Sequence, residues 1–546
     1  MNKNIVKLFA GALVMTTVFT SCSDDFLNTT PTSSTATATV FASTDNVKMA
    51  VNGLAYLMKS QHAAFGQGYC GENRIRSVYQ EYNSQEFRYN QFAPGWAVIM
   101  NGTYYNQKNS NYCKYPWAYY YEIISNANSI INNVDAAAGD EADKQFYKAQ
   151  ALTFRAYCYS QLLELYTPAW SKTDNGASKG VVLRLDESTG SMPLSTVKEC
   201  YDRIYKDLDD AISDFTASGK DRNESEVYLT NINTAYAIYA RTALNRQDYQ
   251  TALDMAKKAR EGYPLMTNAE YGSGFCTYNQ EWIFGTYDSE SENNWYWTFG
   301  TQFAANGHYA NSTNYGAGDI EKELTDRMPT NDVRMQRFLT IDKFDGLDLY
   351  KGTGTVKKDD DNVEKDVPHM NLTYGYMQSD EARKKAAEIV KSKTPSGLTD
   401  AYQFGYYYLN AQMKFYAIAL PGVAPLCLIR SSEMVLIEAE ANYFLGNTPD
   451  AQAALIELNK TSGRNPDYTC TKTGDDLFQE IKDYRELELW GEGFNWYDMK
   501  RWGLDIVRKS FSDGGNCHDA TATTVQAGDW TWAIPETETD YNTEIK

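Results

Sequence analysis

The sequence predicts an all-α protein: a scaffold of tetratricopeptide-like helix pairs carrying large irregular ligand-binding loops. Three observations predict it. Two stretches, YARTALNRQDYQTALDMAKKA and EAEANYFLGNTPDAQAALIEL, each read as a helix, a short polar turn and a second Ala-rich helix, the pattern of stacked helix-pair repeats. Elsewhere, over residues 69–116 and 266–430, helical periodicity fades and Gly, Asn, Tyr and Trp become frequent. Irregular segments of that length are uncommon in compact proteins and are usually functional. The third observation is Arg485 to Gly503, RELELWGEGFNWYDMKRWG, where three tryptophans, a Tyr and a Phe sit among charges of both signs. Rings need burial and buried charges need partners, so this stretch reads as two short helices joined at Gly491-Glu492-Gly493.

Residues 1–21 read as a lipoprotein signal peptide. Lys3 and Lys7 give a positive start, and Leu8 to Phe19 an apolar stretch too short to span a bilayer. Thr20-Ser21-Cys22 resembles the lipobox of bacterial lipoproteins, in which the cysteine is acylated and becomes the N-terminus. A lipid on Cys22 anchors a chain without a transmembrane helix. The acidic run Ser23-Asp24-Asp25 resembles the surface-export signal of Bacteroidetes lipoproteins, so a surface-exposed, outer-membrane address is expected. Losing Lys3 and Lys7 with the leader takes the net charge from −20 to −22, which repels nucleic acid and leaves neutral ligands unaffected. The eight other cysteines show neither C-x-x-C nor zinc spacing. Cys158 and Cys200 fall on predicted helices as buried thiols, and pairing of Cys70 with Cys113 stays open.

After a lipidated lead (22–45), an N-terminal scaffold with binding loops is expected over 46–265. Tyr119–Val134 and Glu141–Tyr166 are amphipathic, and Pro168 stops the second. Tyr201, Ile204, Leu208, Ala211 and Phe215 share one face of the next helix, which Thr196 and Glu199 open as a capping box. Thr234–Leu244 and Tyr249–Arg260 follow, joined by a turn short enough to force an antiparallel pair. A loop-rich ligand-binding insertion is expected over 266–430, with one helix at Ser379–Ser392. The C-terminal region, 431–546, resumes the pairs. Met434, Ile437, Ala441 and Phe444 make one stripe, Gly446 ends it, and Thr448-Pro449 starts the next helix. Leu477, Ile481, Tyr484 and Leu487 make the apolar face of the helix that enters the Arg485–Gly503 stretch.

The lipobox, KAQALTFRAYCYSQLLELY, SMPLSTVKECYDRIYKDLDDAI, IRSSEMVLIEAEANYFLGN, RELELWGEGFNWYDMKRWG and the terminal WTWAIPETETDYN together resemble the SusD/RagB family of Bacteroidetes outer-membrane lipoproteins, over residues 22–546. The resemblance implies four tetratricopeptide-like helix pairs with large binding loops. It also implies a SusC-like TonB-dependent transporter as partner, over which the lipoprotein lies as a lid and to which it hands glycans. Some members take peptides instead, and a lid without ligand affinity of its own is a further reading. Tyr484-Arg485 stands where members often carry Glu-Arg, and Lys460 to Arg464 interrupts a usually Arg-rich turn. Both departures fall in the scaffold.

Sugar binding needs flat rings for the C–H faces of pyranoses, with amides, carboxylates or guanidinium groups for their hydroxyls. Two clusters outside the predicted helices supply these. One is Arg74, Arg76, Tyr79, Trp96, Asn101, Tyr104 and Tyr105. The other is Tyr287, Asp288, Trp295, Tyr296 and Trp297, continuing to Phe299, Phe303, His308 and Tyr309. Trp96 and Trp295 lead, because Gly95 and Asn293-Asn294 suggest exposed turns. Trp117 reads as core. Family members carry ligand-contacting aromatics at comparable regions.

Catalysis is disfavoured. Glu488 and Glu492 are four apart, as a glycosidase pair might be placed on a helix, but Gly491 breaks the helix between them and Arg485, Lys500 and Arg501 offer charge partners. Gly176–Gly180 matches G-x-S-x-G without the strand and helix that make a nucleophile elbow. Four scattered histidines form no H-E-x-x-H, and Asp359-Asp360-Asp361 lacks the spacing and glycine of a calcium loop. No cofactor or metal is expected. If Cys22 carries the anchor, Cys22→Ala releases the protein into the soluble fraction, and external protease reaches the wild type on intact cells. Retention of the variant on membranes contradicts the anchor.

Overall fold

The structure, a computed structural model, describes residues 37–62, 64–88, 104–292, 298–308, 318–349, 355–357, 364–366, 376–403, 405–510, 513–517, 522–525 and 531–545. The leader, Cys22 and the acidic run lie outside them. The main helices are α1 (Thr44–Leu57), α2 (Asn111–Asn133), α3 (Glu141–Tyr166), α4 (Val197–Ser218), α5 (Ile232–Asn245), α6 (Tyr249–Ala259), α7 (Asp380–Lys393), α8 (Ser431–Phe444), α9 (Thr448–Ile456), α10 (Gly474–Leu489) and α11 (Asn495–Trp502). Strand content is slight: the longest described pairing joins β1 (Trp282–Gly285) to β2 (Cys427–Arg430), antiparallel.

Local signals set the pairs. Thr196 and Glu199 close the expected capping box at α4, and Gly219 ends that helix in the left-handed region. Asn231 caps α5 and Asp248 caps α6, so the three-residue turn Arg246–Asp248 between the helices folds α6 back along α5. The face Ala252, Ala256 and Ala259 is buried, and α6 also packs on α8. Gly446 takes φ 79° at the α8–α9 turn. The chain of contacts α2–α3–α4, α5–α6–α8 and α8–α9, with α10 against α8, makes one continuous apolar core.

Two helical stretches depart from the sequence reading. Helix α2 begins at Asn111, capped by Ser110, and runs through Pro116. Proline removes a helical donor and crowds the preceding turn. Here the Tyr79 hydroxyl donates to the Tyr112 carbonyl at 2.7 Å, four residues before the proline. The Tyr166 hydroxyl accepts from Trp117 N at 3.0 Å and donates to Cys113 O at 2.9 Å, bridging a second helical pair. Tertiary hydroxyls thus satisfy backbone groups that the kink releases. Trp117 is core, as expected.

Residues 71–81, expected as loop, form a helical turn (Gly71–Arg74) running into a π-helix (Ile75–Glu81). Every residue in it is buried, including Glu72, Asn73, Arg74, Arg76, Gln80 and Glu81. The segment 266–430 also carries more than loops. Leu339, Phe344, Met377, Ala386, Val390, Tyr402 and Met413 belong to a second buried cluster against which α7 packs. The sulfurs of Cys70 and Cys113 are not joined; Cys113 donates to Ala533 O at 2.9 Å. Cys158 and Cys200 are buried.

Arg485 to Gly503 folds as the end of α10, a Gly-Glu-Gly turn, and α11. Gly491 and Gly493 take φ 77° and 83°. A Cβ would meet Phe415 Cε2 at 2.4 Å at Gly491 and Gln80 Oε1 at 2.1 Å at Gly493, so only glycine fits. Their amides donate to two buried carboxylates of the N-terminal segment: Gly491 N to Glu86 Oε1 at 3.1 Å, and Gly493 N to Glu81 Oε1. Glu488 and Glu492 are charge-paired, but not to the neighbours that sequence suggested. Arg430 Nη1 lies 2.7 Å from Glu488 and 2.9 Å from Glu281, and its Nε lies 2.8 Å from Glu492. Arg334 adds a contact to Glu488 at 3.0 Å and Lys414 one to Glu492 at 2.6 Å. Arg485 pairs with Asp498 at 2.6 Å, Arg501 with Glu440 and Asp498, and Lys500 with the carbonyls of Glu164 and Thr167.

Burial alone would raise Glu488, but the guanidinium groups of Arg430 and Arg334 outweigh it and hold the carboxyl well below its usual range. Removing one partner of such a cluster strands the others without water. Arg430→Met therefore lowers unfolding stability by about 3–5 kcal/mol, read by denaturant titration of the helical circular dichroism signal. An unchanged midpoint contradicts the clamp.

Candidate functional site

The two predicted clusters fare differently from what their residue types suggested. Arg74, Arg76 and Tyr79 are not loop residues offered to a ligand: all three are buried in the 71–81 segment. Arg76 donates to Cys427 O at 2.6 Å and Gly491 O at 3.4 Å, tying β2 to the Gly-Glu-Gly turn. Arg74 donates to Gly68 O at 2.5 Å, and its guanidinium lies 5.4 Å over the Tyr69 ring. The sequence reading took charged side chains for accessible ones; here they support backbone. Trp96 and Asn101 lie outside the described residues.

Tyr104 and Tyr105, the described end of that loop, are half-buried. Tyr104 stacks on Tyr112 with centroids 5.1 Å apart, and Tyr112 meets Tyr69 at 6.2 Å. Tyr69 meets Phe65 at 5.7 Å. The result is a half-exposed aromatic platform, Phe65–Tyr69–Tyr112–Tyr104, drawn from three points of the chain. Sequence reasoning found only Tyr104 in it. Burial raises the Tyr69 phenol to about 12, so at neutral pH its hydroxyl keeps its proton. Asn106, Gln107 and Asn109 are exposed next to Tyr104 in sequence and supply amides. Rings with an amide edge can stack on pyranose C–H faces and bond hydroxyls.

In the second cluster, Tyr287 and Asp288 anchor a loop. Lys59, just past α1, lies 4.7 Å from the Tyr287 ring centroid and 3.3 Å from Asp288 Oδ1. Asp288 Oδ2 accepts from Ala424 N at 3.1 Å, and burial raises its carboxyl above the usual range, opposed by Lys59. Phe299 and Phe303 are buried and stacked at 4.7 Å. His308 is exposed, with its amide on Pro421 O at 2.9 Å. Trp295, Tyr296, Trp297 and Tyr309 lie outside the described residues. What the structure brings together is the footing of the second stretch and the aromatic platform. Asn73 Oδ1 accepts from Phe299 N at 2.9 Å, and Arg76 lies 5.8 Å from the Phe299 ring. The 71–81 segment is thus a floor: Phe299 sits on it, and its Tyr79 donates to Tyr112 of the platform.

Neither catalytic pattern gains from the fold. Glu488 and Glu492 are fully buried and held by cations. Gly176–Gly180 lies in an irregular turn before α4, with Gly180 packed on the Cys200 sulfur. Among the described residues no three His, Cys, Asp or Glu side chains converge as a metal site, and no helix is long and apolar enough to cross a membrane.

A stack of helix pairs that carries half-exposed rings beside a buried polar segment defines a class of scaffolded binding proteins. Comparison places the chain within it. Residues 25–244 match a family model described as SusD-like, starch-binding associating with outer membrane, and residues 280–545 match the model of the SusD family. The chain belongs to the SusD/RagB family. A SusD-like protein of Bacteroides ovatus is 22% identical over 515 residues, covering 89% of this chain and 80% of that protein. Among solved structures, a SusD-like carbohydrate binding protein of Bacteroides vulgatus superposes with a TM-score of 0.70 at 20% identity, covering 92% of this chain and 98% of that one. A SusD superfamily protein of Bacteroides thetaiotaomicron gives 0.63 at 21% identity, covering 92% and 99%.

The floor also carries a titration signature. Burial pushes the Glu72 carboxyl up to about 7, partly offset by hydrogen bonds with Tyr157 and Tyr119. Its folded value exceeds the ordinary 4.5, so the folded state holds a proton that the unfolded chain releases. Its contribution is full below about 4.5 and fades as pH rises to about 7. Glu72→Gln should lose less stability than wild type between these limits, by on the order of 3 kcal/mol. Parallel stability curves in denaturant against pH contradict a protonated Glu72.

Proposed function

We propose that this protein is a cell-surface, glycan-binding lipoprotein that captures oligo- or polysaccharide and delivers it to a SusC-like TonB-dependent outer-membrane transporter. The observation that carries the reading is the half-exposed Phe65–Tyr69–Tyr112–Tyr104 platform, tied through Tyr79 to the buried 71–81 segment. Half-exposed rings on a rigid base suit the flat C–H faces of sugars at little entropic cost. Family membership supports the same reading, as does the shared fold with the SusD-like carbohydrate binding protein of Bacteroides vulgatus. The lipobox-like Thr20-Ser21-Cys22 and the acidic run after it fit an outer-membrane anchor facing outward. The proposed function is binding without turnover: Glu488 and Glu492, the carboxylate pair the sequence offers, are committed to ion pairs in the scaffold.

Trp96, Asn101, Tyr104 and Tyr105 form the proposed first contact set, and Tyr287, Asp288, Trp295, Tyr296 and Trp297 the second. Within the second, Asp288 orders the loop through Lys59 and Ala424. Within the first, Arg76 holds the floor. Calorimetry across a polysaccharide panel should find a binder that is released unchanged. Tyr104→Ala, Trp96→Ala and Trp295→Ala should each weaken it about three- to tenfold. Binding to oligopeptides and to no glycan sinks the sugar reading. Recovery with a large barrel partner, together with no ligand affinity, favours a purely structural lid.

A further inference from the structure

A second concave surface lies on the scaffold, apart from the loops. It is a groove of about 740 Å³ between α1 and α2. Its two walls differ in chemistry. From α1 come Met49, Gly53 and Tyr56, spaced four and three residues apart and so on one helix face. From α2 come Glu122, Asn126 and Ser129, spaced four and three and likewise on one face. The α1 side is mostly apolar and aromatic, with Asn46 at its start; the α2 side carries a carboxylate, an amide and a hydroxyl next to Ile130, and Thr39, Val40 and Phe41 also line the groove.

Tyr56 is 47% exposed. The opposite side of α1, Val47, Val51, Leu54 and Ala55, packs into the core, and Met49 and Tyr56 are exposed. On the other wall, His62 Nδ1 lies 2.9 Å from Glu122 Oε2 and fixes one carboxylate oxygen. The Asn126 amide nitrogen donates to Glu122 O at 2.8 Å, and Asn126 is exposed. Gly53 supplies the floor. It sits inside a 14-residue helix, where glycine is unfavourable, and a Cβ there would meet nothing within 4 Å. Among the described residues, no packing demands it. A floor without a side chain lets a ligand approach the helix backbone closely.

We propose that this groove is a second saccharide-binding site, taking a short pyranose segment with its C–H face on Tyr56 and its hydroxyls toward Glu122, Asn126 and Ser129. The assignment rests on the glycan reading above and adds a position from which a long chain is held at two points. Two-point attachment raises retention of a polymer well beyond that of either site.

The test uses the full-length lipoprotein and the glycan that it retains in the panel. Gly53→Leu fills the floor without a clash, and Gly53→Ala adds only a methyl group. Titration with a short oligosaccharide should show two binding events in wild type and Gly53→Ala, and one in Gly53→Leu and in Tyr56→Ala. Retention on the insoluble polymer should fall about tenfold in Gly53→Leu. Binding by wild type that Gly53→Leu and Tyr56→Ala leave unchanged overturns the groove assignment alone. Loss of a co-purifying barrel partner from Gly53→Leu, with sugar titration unchanged, makes the groove a protein-docking face and also overturns it. Absence of any glycan binder overturns both readings.

Discussion

Arg430 sits where water does not reach, with Glu281, Glu488 and Glu492 around it and Lys414 and Arg334 completing the set. Charges taken out of water are tolerable only when all their partners arrive. Those partners come from β2, α10, the Gly-Glu-Gly turn, the residue before β1 and two loops of the 266–430 segment. The cluster therefore admits one relative arrangement of these elements. It adds little net stability over an apolar core of the same volume; its effect is to make alternatives costly. The half-exposed aromatic platform depends on this indirectly, because Arg76 and Glu86 join the 71–88 segment to the same turn.

How much of this was legible in the sequence follows from how local each signal is. The caps at Thr196 and Gly446 and the alanine face Ala252–Ala256–Ala259 act within a few residues, and the helix pairs they define stand where they were expected. Residues 71–81 were read as loop because hydrophobic period is a guide only where burial is apolar. Here burial is polar, and the partners of Glu81, Glu86 and Arg76 lie hundreds of residues away. Pro116 misled for the same reason: the Tyr79 and Tyr166 hydroxyls that let α2 continue through it are tertiary.

The site divides along the same line. Tyr104 was visible as an aromatic in a polar stretch, but Phe65, Tyr69 and Tyr112 join it only through folding. Arg76 and Asp288 were singled out for their chemistry, and the structure uses that chemistry to steady backbone at Cys427 and Ala424. Charged groups near a binding surface have two employments, and sequence does not separate them. Aromatic rings with one buried edge are the better guide, since burial fixes them while leaving a face outward.

The contact of Gly491 with Glu86 spans 405 residues of chain, and that of Gly493 with Glu81 spans 412. A chain that stops short of these glycines leaves Glu81 and Glu86 without the amides that receive them, and Arg430 without Glu488 and Glu492. Such a product keeps buried charge with no counterpart and opens to proteases. The Gly-Glu-Gly turn thus makes the polar burial of residues 81–86 conditional on residues made more than four hundred positions later.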